Sequence, residues 1–165
     1  MKQLIIIRHA KSSWEASIPR DFDRPLNSRG LKDAPAMAKK ILERKVAIDA
    51  FISSTAKRAL TTATFFYDEY KKSGYKTQGI IGVPELYMAS PSAFENTIIE
   101  TDNKFKTIAL FSHNPGITEF ANTLTSTKID EMPTCSVFAI KIETDKWSDF
   151  LRAEKSFWFF DYPKM

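Results

Sequence analysis

Residues 3–9, QLIIIRH, run four aliphatic side chains without a break into an arginine and a histidine. A β-branched run this short, bounded by polar residues, is too brief for a helix and does not alternate. It predicts a strand over 3–7 buried on both faces, the kind found in sheets covered by helices. Residues 107–113, TIALFSH, repeat the pattern and end in the only other histidine of the chain. Further strands are predicted over 50–53, more weakly over 78–83, and over 137–142 and 157–160.

Helical spacing fills the intervals. Over 28–45, Leu31, Ala34, Ala38, Ile41 and Leu42 lie on one face; Asn27 or Ser28 caps the start, and Pro35 implies a late start or a kink. Over 56–70, Ala59, Ala63, Phe66 and Tyr70 form a stripe, with Gly74 at the exit. Ser90 and Pro91 open a helix over 91–100, and another starts after Pro115 and Gly116. Segment 10–27 has little periodicity, and Asp21, Asp23, Pro19 and Pro25 give it turn character. Strands alternating with helices predict a three-layer α/β/α sandwich with a mostly parallel central sheet.

A chain of 165 residues is long enough to bury roughly two-thirds of its unfolded surface, so one domain over 1–165 is expected. With 43% hydrophobic and 27% charged residues and no Pro, Gly or Ser tract, an ordered globular chain is expected except at the ends. No apolar stretch reaches membrane-spanning length, and the run within MKQLIIIRHA is too short for the core of a signal peptide. The expected compartment is the cytoplasm, with no membrane partner. Cys135 is the single cysteine; it cannot form an internal disulfide and reads as a small buried hydrophobe. The formal charge is +4, but the densest basic cluster (Lys39, Lys40, Arg44, Lys45) falls on the outer side and tail of an amphipathic helix. No interleaved basic and aromatic stripe points to nucleic acid.

Both histidines stand at or just past the end of a strand. In open α/β sheets, ligands bind beyond the carboxyl ends of the strands, so His9 and His113 can share one crevice. A third strand, FISS at 51–54, precedes TAKRALTTA, which sets Arg58 in the first turn of the following helix. Arg8, Arg58, two histidines and a helix N-terminus around one cavity, with no carboxylate among those positions, favour an anion. Guanidinium groups match phosphate oxygens with paired, charge-assisted hydrogen bonds. Taken singly, each residue also has a structural reading, as a satisfied strand-end histidine or a solvated arginine; the convergence of three strand ends is what favours a site. Metal binding is the weaker alternative. Neither histidine motif brings a third ligand at suitable spacing, and two arginines repel a divalent cation, so no metal and no cofactor are expected.

The segment Ile5-Ile6-Ile7-Arg8-His9-Ala10-Lys11-Ser12-Ser13-Trp14, followed by Asp23-Arg24-Pro25-Leu26-Asn27-Ser28-Arg29-Gly30, resembles the histidine phosphatase superfamily, most nearly the SixA-like phosphohistidine phosphatases. Ser53-Ser54 with Ala56, Arg58, Ala59, Thr62 and Ala63, then Leu86-Tyr87, then Ser112-His113-Asn114-Pro115-Gly116 extend the resemblance in order along most of the chain. It implies a phosphoglycerate mutase-like fold, a phosphohistidine intermediate on His9, phosphoryl oxygens bound by Arg8 and Arg58, and His113 as the second pocket histidine. Ser12 and Asn114 are weaker candidates for orienting contacts. Asp23, Leu26 and Gly30 match family positions but read as structural.

Many monoesterase members place an acid shortly after a Leu in the segment that corresponds to Leu86-Tyr87-Met88, where this chain has Met88. Glu85 is the candidate acid in its place. The resemblance therefore implies a metal-independent phosphatase acting on phosphohistidine or another phosphoramidate, with a phosphorylated protein or a small phosphorylated molecule as its substrate. A small-molecule phosphomonoesterase and a non-catalytic phosphate-binding module are the alternatives.

Overall fold

Leu4, Ile5, Ile6 and Ile7 are all fully buried, because the strand that carries them lies between helices on both sides. The computed structural model describes residues 1–163; Lys164 and Met165, the last two residues of the expected domain, lie outside the described residues. The strands are β1 (Lys2–Arg8), β2 (Ala50–Ser53), β3 (Ile81–Gly82), β4 (Thr107–Ser112), β5 (Val137–Ile142) and β6 (Lys155–Asp161). The helices are α1 (Ser28–Glu43), α2 (Lys57–Lys72), α3 (Pro91–Ile99) and α4 (Gly116–Leu124).

The six strands form one sheet in the order β3-β2-β4-β1-β5-β6. The pairings β3-β2, β2-β4 and β4-β1 are parallel, whereas β5 runs antiparallel to both of its neighbours, β1 and β6. Alternation along β1 divides the core. Ile5 and Ile7 pack with Ala34, Met37, Ala38 and Ile41 of α1 and with Ala63, Phe66 and Tyr70 of α2. Leu4 and Ile6 pack with Phe94 and Ile98 of α3 and with Ile117, Phe120 and Ala121 of α4. The result is the expected α/β/α sandwich, and no helix is long and apolar enough to cross a membrane among the described residues.

Three expectations shift in detail. The first helix begins at Ser28, with the Asn27 side chain accepting from the Gly30 N–H at 3.0 Å, and it runs through Pro35 to Glu43. Leu31, expected on the inner face, is 48% exposed, and Met37 takes the buried place instead. The weak strand over 78–83 shortens to the two residues of β3, which pair only with β2 at the edge of the sheet.

The topology makes a crevice. After β1 the chain leaves toward the face covered by α1 and α2; after β4, its parallel neighbour, it leaves toward the face covered by α4. Two close approaches shape the walls. A side chain at Gly30 would collide with the Lys11 carbonyl oxygen, and one at Gly116 with that of Ala89. Glycine at these positions lets α1 seat on the loop after β1 and α4 on the segment after β3.

Candidate active site

Arg8 of β1 stands opposite Ser112 of β4 in the parallel register, so the residues that follow, His9 and His113, emerge side by side. Their ring centroids are 5.1 Å apart, and both residues are buried, each 5% exposed. Backbone bonds fix the turn: the His9 N–H donates to Ser112 O at 3.1 Å, and the Cys135 N–H lies 3.0 Å from both the Arg8 and the His9 carbonyl oxygens. Cys135 itself is fully buried, and burial pushes its thiol pKa well up. That fits a packing role.

The ring of His9 is oriented. Nδ1 lies 2.7 Å from its neighbour's carbonyl, Ala10 O, an acceptor only, so Nδ1 carries the proton and donates it. Nε2 is therefore left with a lone pair at the cavity, and it accepts from the Arg58 Nε–H at 3.3 Å. A short relay holds the two residues in register: the Ala10 N–H donates to Thr62 Oγ1 at 3.0 Å, and Thr62 donates to Arg58 O at 2.7 Å. For His113, Nε2 lies 2.7 Å from Ser54 Oγ, which itself accepts from the Ala56 N–H at 3.2 Å. When the Ser54 hydroxyl donates to Nε2, the imidazole proton of His113 stands on Nδ1.

Both rings are held neutral. Burial lowers the pKa of His9 to about 2, aided by His113, Arg58 and Arg8 and opposed by the bond to Ala10 O. Burial, then Arg58, lowers that of His113 to about 3. Above pH ~6.5 both histidines are neutral whether the chain is folded or not. As pH falls from there toward 3, the unfolded chain binds two protons that the folded chain refuses, so stability is lost with a limiting slope of about 2.7 kcal/mol per pH unit. Urea unfolding midpoints measured between pH 7 and 4 should fall accordingly, and His113→Asn should remove about half of the slope. A flat profile in the wild type would contradict the buried neutral pair.

The cavity has a volume of about 360 Å³ and is lined by Arg8, His9, Ser12, Arg58, His113 and Asn114, together with Asp21, Arg24, Trp14, Met88, Lys11 and Thr134. All four principal candidates and both weaker ones therefore come together. Arg8 Nη1 donates to Met132 O at 2.8 Å, with Glu131 3.9 Å away. The Asn114 amide is held by Met132 O, Glu131 and Thr118. Ser12 pairs by backbone with Leu26 across the loop. Glu85 is not brought in; it lines a separate cavity with Ile81, Val83 and Asn96. Met88, in the segment where an acid was sought, is at the mouth and 81% exposed.

Sequence reasoning missed Asp21, Arg24 and Tyr87. Arg24 is 7% exposed, its guanidinium lies 3.5 Å from the centroid of the Trp14 ring, and its Nε is 3.2 Å from Asp21 Oδ1. Among the described residues, five buried side-chain polar atoms have no hydrogen-bond partner: Arg8 Nε, Arg24 Nε and Nη1, His113 Nδ1, and Ser136 Oγ. The first four belong to residues around this one cavity. A buried donor without an acceptor costs about 1–3 kcal/mol; apart from Arg24 Nε, which keeps its ion-pair contact with Asp21, these atoms mark where an acceptor-rich group fits.

The sequence pattern of the histidine phosphatase superfamily (branch 1) matches residues 4–79. An uncharacterized protein of Mycobacterium leprae, ML1117, is 31% identical over 122 residues, which cover 72% of this chain and 71% of that protein. The chain belongs to the histidine phosphatase superfamily. Its fold is shared with solved SixA structures. The SixA protein of Agrobacterium tumefaciens superposes with a TM-score of 0.80 at 22% identity, covering 99% of each chain. The protein histidine phosphatase SixA complexed with tungstate gives a TM-score of 0.78 at 19% identity, covering 96% of this chain and 95% of that one. The stretch matched by the histidine phosphatase pattern holds Arg8, His9, Ser12 and Arg58; His113 and Asn114 lie beyond it and are joined to the others by the pairing of β1 with β4.

Proposed function

We propose that this protein is a phosphatase that hydrolyses phosphohistidine, or another phosphoramidate, through a covalent phosphohistidine intermediate on His9. The observation that supports this reading most is the His9 Nε2 lone pair, directed into a cavity bordered by Arg8, Arg24 and Arg58. Nε2 attacks phosphorus, the N–P bond of the substrate breaks, and its electron pair goes to the leaving imidazole, which takes a proton from solvent. Water then attacks the phosphorus on His9, the P–Nε2 bond breaks, and inorganic phosphate leaves with the free imidazole restored. Arg8, Arg58 and the Nδ1–H of His113 bind the phosphoryl oxygens, and Arg24, whose Nη1 has no partner, joins them. Ser12 and Asn114 orient the loop edges. The substrate carrier is a phosphorylated protein, the compartment is the cytoplasm, and no step calls for a metal ion.

The substrate class follows from the leaving group. Expelling an alkoxide from an alkyl phosphate requires a proton in the transition state, and a positioned acid typically contributes ~10²–10⁴-fold. Imidazole is a far less basic leaving group and loses little without such an acid. The test is to measure kcat/KM, in excess chelator, for a phosphohistidine peptide, an aryl phosphate and an alkyl phosphate. The expected order is phosphohistidine well above aryl and aryl above alkyl. Met88→Glu, at the cavity mouth, should raise alkyl ester hydrolysis about tenfold or more while leaving phosphoramidate cleavage nearly unchanged. Glu85→Gln should change neither. Efficient alkyl ester hydrolysis by the wild type, abolished by Glu85→Gln, would show that Glu85 is the acid and that the substrate is an ester. Activity lost to chelator and restored by a divalent ion would count against a metal-free mechanism.

A further inference from the structure

The loop after β1 brings one carboxylate into a cavity that carries three guanidinium groups. Asp21 sits on a 3-10 turn, Asp21–Asp23, and engages Arg58 twice: Arg58 Nη1 donates to its backbone oxygen at 2.8 Å and Nη2 to Oδ2 at 3.0 Å. The turn is anchored from the other side as well. The Tyr87 hydroxyl donates to Oδ2 at 2.7 Å, and the Tyr87 ring meets Phe22 edge-on at 5.2 Å and His113 at 5.4 Å. Arg24 adds its charge on Oδ1 at 3.2 Å.

A guanidinium offers five N–H donors in a rigid fork. Asp21 takes two of them at the Nη1/Nη2 end. The plane is thereby fixed, and the edge containing Nε faces His9 Nε2 at 3.3 Å. Three arginines around so small a cavity repel one another, and a flexible side chain yields to that repulsion unless an anion holds it. Resting on the reading of His9 as the phosphoryl acceptor, we infer that Asp21 is a positioning residue for the phosphoryl-transfer step that acts through Arg58. It holds the guanidinium edge-on to the phosphorus that His9 attacks. The opposite role, a built-in anion that blocks Arg58 against substrate, predicts a rise in kcat on removing the carboxylate where positioning predicts a fall.

The experiment compares the wild type with Asp21→Asn, Asp21→Ala and Asp21→Glu in the full chain. Turnover is measured on a phosphoramidate, tungstate affinity by calorimetry, and folding by the thermal midpoint. A misplacement of about 1 Å costs up to ~10²-fold, so kcat should fall roughly 10- to 100-fold in Asp21→Asn and Asp21→Ala, with KM within about threefold. Tungstate should bind as tightly or more tightly, because a negative charge beside the oxyanion has been removed. Asp21→Glu, which keeps the charge on a longer arm, should recover part of kcat. Unchanged or increased kcat in Asp21→Asn would overturn the inference. So would a loss of kcat accompanied by an equal loss of tungstate affinity and a lowered midpoint, the signature of a collapsed pocket. A wild type inert toward phosphoramidates would overturn the reading of His9 and this inference with it, whereas an active wild type with unaffected Asp21 variants overturns this inference alone.

Discussion

Alanine in place of His9 should reduce turnover by on the order of 10⁴–10⁶-fold, the scale of losing a covalent nucleophile, while leaving the protein folded. The imidazole is 5% exposed, yet its single side-chain hydrogen bond to protein besides the Arg58 contact goes to the adjacent Ala10 carbonyl. Its one tie to another element is the Arg58 Nε contact at 3.3 Å, while β1 is fixed by its backbone pairing to β4 and β5. The variant should also be the more acid-tolerant protein, because one of the two buried histidines that resist protonation is gone. Circular dichroism and urea unfolding at pH 7 and pH 5 check both statements beside the kinetic assay. Turnover within tenfold of the wild type would remove His9 from the mechanism.

Arg58→Ala should cost about 2–4 kcal/mol of transition-state stabilisation, the scale of removing one preorganised electrostatic group. In kcat/KM that is a loss of roughly 30- to 1000-fold. Arg58 is the one pocket arginine whose Nε reaches toward His9 Nε2, and all three of its side-chain nitrogens have a partner. Arg58→Lys retains charge without the fork, so it should recover only a part of the loss. Steady-state kinetics on a phosphoramidate measure both. A loss below threefold in Arg58→Ala would mean that the guanidinium does not meet the transition state.

Much of this site was legible in the sequence because strands announce themselves by apolar runs. QLIIIRH and TIALFSH fix which residues follow a strand, and the α/β rule then directs His9 and His113 to one crevice. Arg58 was legible for a similar reason: it stands in the first turn of a helix whose stripe (Ala59, Ala63, Phe66, Tyr70) is wholly buried. The stretch from Ala10 to Asn27 was not legible. It has no period, so nothing local tells that the turn at Asp21–Asp23 folds back onto the start of α2 or that Arg24 lies under Trp14. The alternation Asp21-Phe22-Asp23-Arg24 between two prolines was the available signal, and it read as a turn. Leu31 misled for a physical reason: it lies in the first turn of α1, before the helix reaches the sheet, where an apolar side chain at the inner spacing is still half exposed. Glu85 shows the limit of proximity in sequence. It shares a 3-10 turn with buried Leu86 and faces the second cavity, whereas Met88, three residues on, lies at the mouth of the first.

The central step is the passage of a phosphoryl group through one ring nitrogen of His9. Mixing the protein with a radiolabelled phosphoramidate, quenching in alkali within milliseconds to preserve an N–P bond, and mapping the label by peptide digestion tests this directly. The expected result is an alkali-stable, acid-labile label on the peptide containing His9, absent in His9→Ala and decaying on the timescale of turnover in the wild type. Turnover with no label on that peptide, or label on His113 instead, would contradict it.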